Sequence, residues 1–281
     1  MDTKFNDVIF TGASTDRRST ETATKRKKVS KVQFEKDGAV GVVTLAKPPH
    51  NLIDEELLNG LIGAYESAVS SGCRSILLRS GMRHFCAGAD VNAFVGGKRR
   101  DQSSFEAVVG ALENVRLPTV AAVHGAALGG GLELALTCDM IIAADTASFG
   151  MAEASLGLLP LLGGVQRIAQ RVGPARAKEL AMFARRHDPV TLERWGAINL
   201  VVPEGELPVV SMSWARQLAA GPTIALGGIK TLANLSVREG ITGADKRQTE
   251  VNNLMWASED QKRGLAAFAA TGPGSAIFEG N

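Results

Sequence analysis

Val120-Ala121-Ala122-Val123-His124-Gly125-Ala126-Ala127-Leu128-Gly129-Gly130-Gly131-Leu132-Glu133-Leu134-Ala135-Leu136-Thr137-Cys138-Asp139 opens as an apolar, strand-like run and meets three successive glycines. It then continues as a helix-like run of Leu and Ala. Glu133 falls near the start of that helix. An ionised carboxylate in so apolar a stretch needs partners or a raised pKa. A glutamate in a first helical turn also complements the helix dipole, so the residue alone does not decide between a structural and a chemical role. Twenty residues on, Glu153 follows Phe149-Gly150-Met151-Ala152 and precedes Leu156-Gly157-Leu158-Leu159-Pro160. Two carboxylates beside tight glycine turns point to acid–base chemistry next to backbone donors.

Outward from this block, strand-like and helix-like segments alternate. Ala39–Leu45, Ser75–Arg79, Thr119–Val123, Met140–Ala144 and Asn199–Val202 are short, apolar and rich in β-branched residues, and read as buried strands. Asp54–Val69 reads as a helix with Asp54 as N-cap and Leu57, Leu58, Leu61 and Ile62 on one face. Gln102–Asn114, Gly131–Cys138, Leu161–Arg171 and Pro174–Phe183 are further helix candidates. From Leu207 on, Pro208–Ala219, Pro222–Asn234, Ile241–Trp256 and Glu259–Ala269 carry apolar helical faces, and Thr271-Gly272-Pro273-Gly274 ends the last of them. The alternation predicts an α/β layer architecture followed by a helical region.

Composition narrows the function. With 281 residues the chain buries a full core. Lys and Arg total 31 against 29 Asp and Glu, a balance that gives no general pull towards nucleic acid or a membrane surface. No apolar run is long enough to span a bilayer. The three cysteines, Cys73, Cys86 and Cys138, cannot all pair within one chain, and without a C-x-x-C or clustered histidines no metal site is expected. His124 reads as a packed histidine beside the glycine block, and His84 and His187 as surface-loop residues. Residues 1–30 are polar, carry the basic run Lys25-Arg26-Lys27-Lys28 and lack the apolar segment of a secretory signal. They read as a flexible tail on a cytoplasmic protein.

Ordered motifs make the chemistry specific. Phe85-Cys86-Ala87-Gly88-Ala89-Asp90 resembles an F-x-A-G-A-D element. Pro118 through Asp139 resembles P-x-x-A-x-x-x-G-x-A-x-G-G-G-x-E-L-x-x-x-C-D, and Phe149 through Arg167 resembles F-G-x-x-E-x-x-L-G-x-x-P-x-x-G-G-x-Q-R. With Trp195 through Pro203 and Glu250 through Phe268, these mark a resemblance to the enoyl-CoA hydratase/isomerase (crotonase) family over roughly residues 31 to 270. The resemblance implies a spiral of β-β-α units over 31–206, and a helical region over 207–281 that covers the active site and forms trimers, commonly paired into hexamers. It implies an acyl-CoA thioester substrate, with coenzyme A part of the substrate and no separate cofactor. Ala89 and Gly130 take the positions of the two backbone N–H donors to the thioester oxygen. Glu133 takes that of the acid that activates water, and Glu153 that of the acid that protonates C2. Keeping both glutamates favours hydration of a trans-2-enoyl-CoA. Lys47, Ala87, Gly88, Asp90, Gly129, Leu158, Leu161 and Leu162 take substrate- or CoA-binding positions, and the leucines predict an apolar acyl chain.

The chain departs from the family pattern in places. Leu161 replaces the glycine of P-G-x-G-G, adding bulk and restricting φ, so it either packs in the core or reshapes the site near the catalytic water. Asn92 stands where many members have lysine, and Thr271-Gly272 where many have Lys-Arg. Lys98-Arg99-Arg100 offers an alternative contact for CoA phosphates. An isomerase, or another lyase or hydrolase of the same fold, is the alternative to hydration. Some relatives bind RNA, and here the basic tail would have to do so, which the charge balance and the lack of interleaved aromatics disfavour.

Overall fold

The computed structural model describes residues 30–90 and 102–281. The basic tail, Asn92 and the Lys98-Arg99-Arg100 triplet lie outside the described residues. Nine strands run in chain order among those described. They are β1 (Val32–Asp37), β2 (Val40–Leu45), β3 (Ser75–Ser80), β4 (Thr119–Val123), β5 (Ala126–Leu128), β6 (Met140–Ala144), β7 (Ser148–Gly150), β8 (Arg186–His187) and β9 (Leu200–Val202). Six form one sheet in the order β1-β2-β3-β4-β6-β9, and β5, β7 and β8 form a second, smaller one. In the large sheet only the β1–β2 pair is antiparallel. Its inner strands are buried along nearly their whole length, as parallel strands covered on both faces must be. That is why they read from the sequence as unbroken apolar runs.

The strands of the two sheets alternate along the chain. Strand β4 belongs to the large sheet and β5 to the small one, and the chain then enters α3 (Gly130–Leu136). The next unit repeats this with β6, β7 and α4 (Gly164–Met182). An earlier unit is formed by β3, an isolated parallel bridge from Cys86 to Ala127, and α2 (Gln102–Glu113). These are the β-β-α turns of the expected spiral. The strands of the second sheet are two or three residues long, too short to leave a periodic signal.

Helix α1 (Glu55–Ser70) starts where expected, with the Asp54 carboxylate accepting the Leu57 N–H at 2.9 Å. Element α4 holds both helices expected over 161–183, parted at Gly173, where φ 80° and ψ 164° are non-helical, just before Pro174. It begins at Gly164, three residues later than the pattern suggested, because Gly163 takes a left-handed cap conformation (φ 78°) and leaves Pro160–Leu162 as an irregular loop. After α5 (Pro189–Trp195) and β9 the chain is helical: α6 (Leu207–Ala220), α7 (Thr223–Arg238), α8 (Gly240–Trp256) and α9 (Glu259–Thr271). Helix α6 packs on β3, β4 and β6. By contrast α8 and α9 expose Ile241, Leu254, Trp256, Leu265 and Phe268. No described helix is long and apolar enough to cross a membrane.

Two histidines differ from their expected surface-loop setting. His187 lies in β8, half-buried, with its ring 5.0 Å from that of Trp195. His84 is also half-buried, and its Nδ1 accepts the Ala126 N–H at 3.2 Å, joining the chain before Phe85 to the start of β5. His124 is packed as expected, with Nε2 2.7 Å from the Met82 carbonyl. All three cysteines are free and buried.

Candidate active site

A cavity of about 150 Å³ opens where three loops meet. They are the Ala87–Asp90 segment, the β5–α3 turn, and the stretch from Ala152 to Leu162. Each is fixed by backbone pairing. Ile53 bridges Ala89, with Ile53 N–H donating to the Gly88 carbonyl at 2.9 Å and Asp90 N–H to the Ile53 carbonyl at 3.2 Å. The Leu128 N–H donates to the Cys86 carbonyl at 3.1 Å, and the Gly129 N–H to the Gly150 carbonyl at 2.8 Å. These four bonds hold the Ala89 segment, the glycine turn and the strand leading to Glu153 as one rigid frame.

The glycine turn is what permits so close an approach. Gly129 caps α3 at φ 51°, ψ −124°, a conformation that other residues avoid. A Cβ there would run into the Glu153 carboxylate. At Gly131 a Cβ would strike the Cys86 carbonyl, so α3 lies against the Phe85–Asp90 loop only because that position has no side chain. Gly130 faces the cavity. A Cβ on it would lie 2.7 Å from Ile53 Cδ1, and 3.8 Å from both the Ala89 nitrogen and Glu133 Oε2. Ala89, Gly130 and Glu133 therefore converge on one point. As the first residue of α3, Gly130 has an N–H with no partner inside the helix. Among the described residues the Ala89 N–H donates to no backbone carbonyl.

Glu133 is 2% exposed. Its Oε1 accepts the N–H groups of Leu162 (2.9 Å) and Gly164 (2.7 Å), at the N-terminus of α4. Burial pushes its pKa up to about 7, and the nearby Glu153 charge adds to the rise. The two amides and Arg167 oppose it. Charge-assisted bonds of this kind contribute roughly 1.5–3 kcal/mol each, enough to hold a carboxylate that burial alone would expel. Glu153, at the start of a 3₁₀ turn (Glu153–Leu156), is held differently. Its pKa is also raised by burial, but its Oε2 is buried with no hydrogen-bond partner. A buried carboxylate oxygen without a partner is costly in a finished fold and is accounted for by a proton, a water or a ligand.

Of the residues expected from the sequence, Ala87, Gly88, Ala89, Asp90, Gly129, Gly130, Glu133, Glu153, Leu158, Leu161 and Leu162 all line this cavity. Lys47 does not. Its ammonium lies 2.7 Å from the Asp54 carboxylate and donates to the Leu52 carbonyl at 2.6 Å, which ties it to the N-cap of α1. Ile53, Phe105, Leu128, Ala152, Leu156 and Leu159 complete the lining, and of these only Leu156 falls on a fixed motif position. Ile53 and Phe105 come from distant segments, and only the leucine-rich composition near 156–162 hinted at the others. Leu161 takes no left-handed conformation, so replacing glycine there strains nothing. Its side chain is half-buried, packs on the core and also faces the cavity. No group of His, Cys, Asp or Glu among the described residues is arranged to hold a metal ion.

Two interleaved sheets wound from β-β-α turns, with a glycine-bordered cavity at the start of a short helix, define a crotonase-like fold. An enoyl-CoA hydratase subunit from Geobacillus kaustophilus superposes with a TM-score of 0.82 at 34% identity, covering 89% of this chain and 98% of that one. DspI from Pseudomonas aeruginosa gives 0.81 at 29% identity, covering 92% of this chain and all of that one. In sequence, a probable enoyl-CoA hydratase of Mycobacterium tuberculosis is 34% identical over 241 residues, 84% of this chain and 94% of the relative. The profile of the enoyl-CoA hydratase/isomerase family matches residues 35–276, and the chain belongs to that family.

Proposed function

We propose that the protein is an enoyl-CoA hydratase that adds water across the C2=C3 bond of a trans-2-enoyl-CoA to give a 3-hydroxyacyl-CoA. The observation that carries this reading is the convergence of two carboxylates, the buried Glu133 and the half-buried Glu153, on a cavity bordered by the Ala89 and Gly130 amides, which donate to no backbone carbonyl among the described residues.

The thioester oxygen sits between the N–H groups of Ala89 and Gly130. Their dipoles, and that of α3, stabilise the negative charge that grows there as the C3 bond forms. Losing one such donor typically costs roughly 2.7–4 kcal/mol. Glu133, fixed through Oε1, turns Oε2 to the water and takes its proton as oxygen attacks C3. Protonated Glu153 delivers a proton to C2. The electron pair of the C2=C3 bond moves to the thioester as an enolate and returns to form the new C2–H bond. Atoms and charge balance, and the product leaves Glu133 protonated and Glu153 ionised until proton exchange resets them. Leu156, Leu158, Leu159 and Leu161 favour an apolar acyl chain over a charged one. The apolar side chains exposed on α8 and α9 support a homotrimer, or a hexamer built from two.

The test is loss of enoyl-thioester absorbance with crotonyl-CoA and with a longer 2-enoyl-CoA, comparing wild type with Glu133→Gln and Glu153→Gln. Hydration that collapses in both variants sustains the reading. No hydration by folded wild type overturns it. Isomerisation of a 3-enoyl-CoA that survives Glu133→Gln would instead assign a one-acid proton shuttle.

A further inference from the structure

We infer that Arg167 is the positioning residue for Glu133, and that it acts by fixing the two backbone amides that grip the carboxylate. This rests on the hydration reading for its kinetic consequence, but not for its structural one.

The Pro160–Gly164 loop is held from both sides. Its amides at Leu162 and Gly164 point to Glu133 Oε1. Its carbonyls at Leu162 and Gly163 point the other way, to Arg167 Nη1, at 3.2 and 3.0 Å. A peptide plane cannot turn its carbonyl without turning its amide. Holding the Leu162 and Gly163 carbonyls therefore fixes the planes that carry the N–H groups of Gly163 and Gly164, and the Gly164 amide is one of the two that reach Glu133. The Leu162 amide is one peptide further back and is steadied through the same turn. The cap has little stiffness of its own, because Gly163 and Gly164 are adjacent glycines.

The guanidinium is itself held. Glu113, at the end of α2, accepts from Arg167 Nε and, at 2.7 Å, from Nη2. This fork-to-fork pair is largely buried, with side-chain exposures of 18% and 15%, so its geometry is firm where a surface pair would not be. Glu113 also accepts from Arg238 on α7 at 3.1 Å. A chain of contacts thus runs from the helical region through Arg238, Glu113 and Arg167 to the loop and on to Glu133. Among the described residues, the charged groups around Glu133 are Arg167 on its α4 side, with Glu113 behind it, and Glu153 and Asp90 across the cavity. Arg167 is the cation among them.

Arg167→Gln, Arg167→Lys and Glu113→Gln separate positioning from folding. The measurements are the pH profile of kcat, KM for an enoyl-CoA, thermal midpoint, and the carbon-13 NMR titration of the Glu133 carboxyl, assigned by its loss in Glu133→Gln. In Arg167→Gln we expect kcat to fall about tenfold or more with KM within about threefold of wild type. The Glu133 titration and the acid limb of kcat should both move to higher pH by about one pH unit. Arg167→Lys keeps the charge without the fork and should recover part of the titration but little of kcat. Glu113→Gln loosens the guanidinium but also removes an anion, so it should lower kcat by less than Arg167→Gln with little net change in the titration. A folded Arg167→Gln whose Glu133 titrates as in wild type or, if that variant does not fold, a folded Glu113→Gln with wild-type kcat would overturn the inference. The NMR titration needs no turnover. If wild type fails to hydrate, the hydratase reading falls while the positioning of Glu133 is still decided.

Discussion

Glu133 and Glu153 face one cavity but are held in opposite ways. Glu133 lies on a helix, almost fully buried, with one oxygen committed to two amides at the head of another helix. Glu153 opens a 3₁₀ turn, is half-buried, and leaves one buried oxygen unpaired. Burial raises the pKa of both, yet only Glu133 has hydrogen bonds from elsewhere in the chain that favour its anion. In the proposed hydration this difference divides the labour. A carboxylate whose charge is supported and whose orientation is fixed suits a base. One with an oxygen left unpaired is free to carry a proton and suits an acid. The two titrate as a pair, so their profile belongs to the site.

The largest expected effect comes from removing either acid. Glu133→Gln and Glu153→Gln should each lower kcat about 10³-fold with KM little changed, read by absorbance of the enoyl thioester. A loss confined to one of them would break the division of roles. Gly129→Ala comes next. The new methyl meets the Glu153 carboxylate and demands a conformation alanine avoids, so kcat should fall about 100-fold and stability by about 1–3 kcal/mol. A denaturant melt beside the kinetic assay separates the two effects. Leu161→Gly is smaller. It should widen the cavity, raise kcat/KM for a branched or longer enoyl-CoA relative to crotonyl-CoA by about tenfold or less, and cost roughly 1–2 kcal/mol in lost packing.

The smallest effect is on pH-dependent stability and sharpens the contrast. Glu133 has its pKa raised to about 7, against about 4.3 for an unfolded glutamate. A raised folded pKa means the native state holds the proton more tightly than the unfolded chain. Its ionisation penalty is absent below about pH 4.3, grows as pH rises, and is complete above about pH 7. Glu133→Gln should match wild type in thermal midpoint near pH 4.5 and exceed it by a few degrees, about 2–4 °C, at pH 8. A difference that does not vary with pH would show that the two amides fully offset burial. In the same frame, kcat should follow a bell against pH whose two limbs belong to the coupled pair of acids.

Much of this was legible before the fold was known. The apolar runs that became β2, β3, β4 and β6 are sandwiched between layers, and such strands announce themselves by uniform hydrophobicity. The glycines at 129–131 and the two glutamates marked the site because their types are unusual in such company. Strand β1 escaped notice because it is an edge strand with mostly exposed side chains. Strands β5, β7 and β8 escaped because two or three residues carry no period. The partners of Glu133 were invisible for another reason. They are backbone amides 29 and 31 residues away, and a backbone amide has no residue type to recognise. Lys47 shows the converse, since a basic residue at the expected position found a nearer carboxylate at Asp54.

The contact between Gly131 and the Cys86 carbonyl bears on how this sequence can drift. One methyl group is the least that substitution can add, and at Gly131 even that is refused by backbone, which cannot swing aside as a side chain can. Gly63, inside α1, has open space where its side chain would be. A saturation library should therefore find Gly63 permissive and Gly131 nearly silent, although both sit in helices. The three glycines that composition alone would score as the slackest stretch of the chain are expected to rank among its least replaceable.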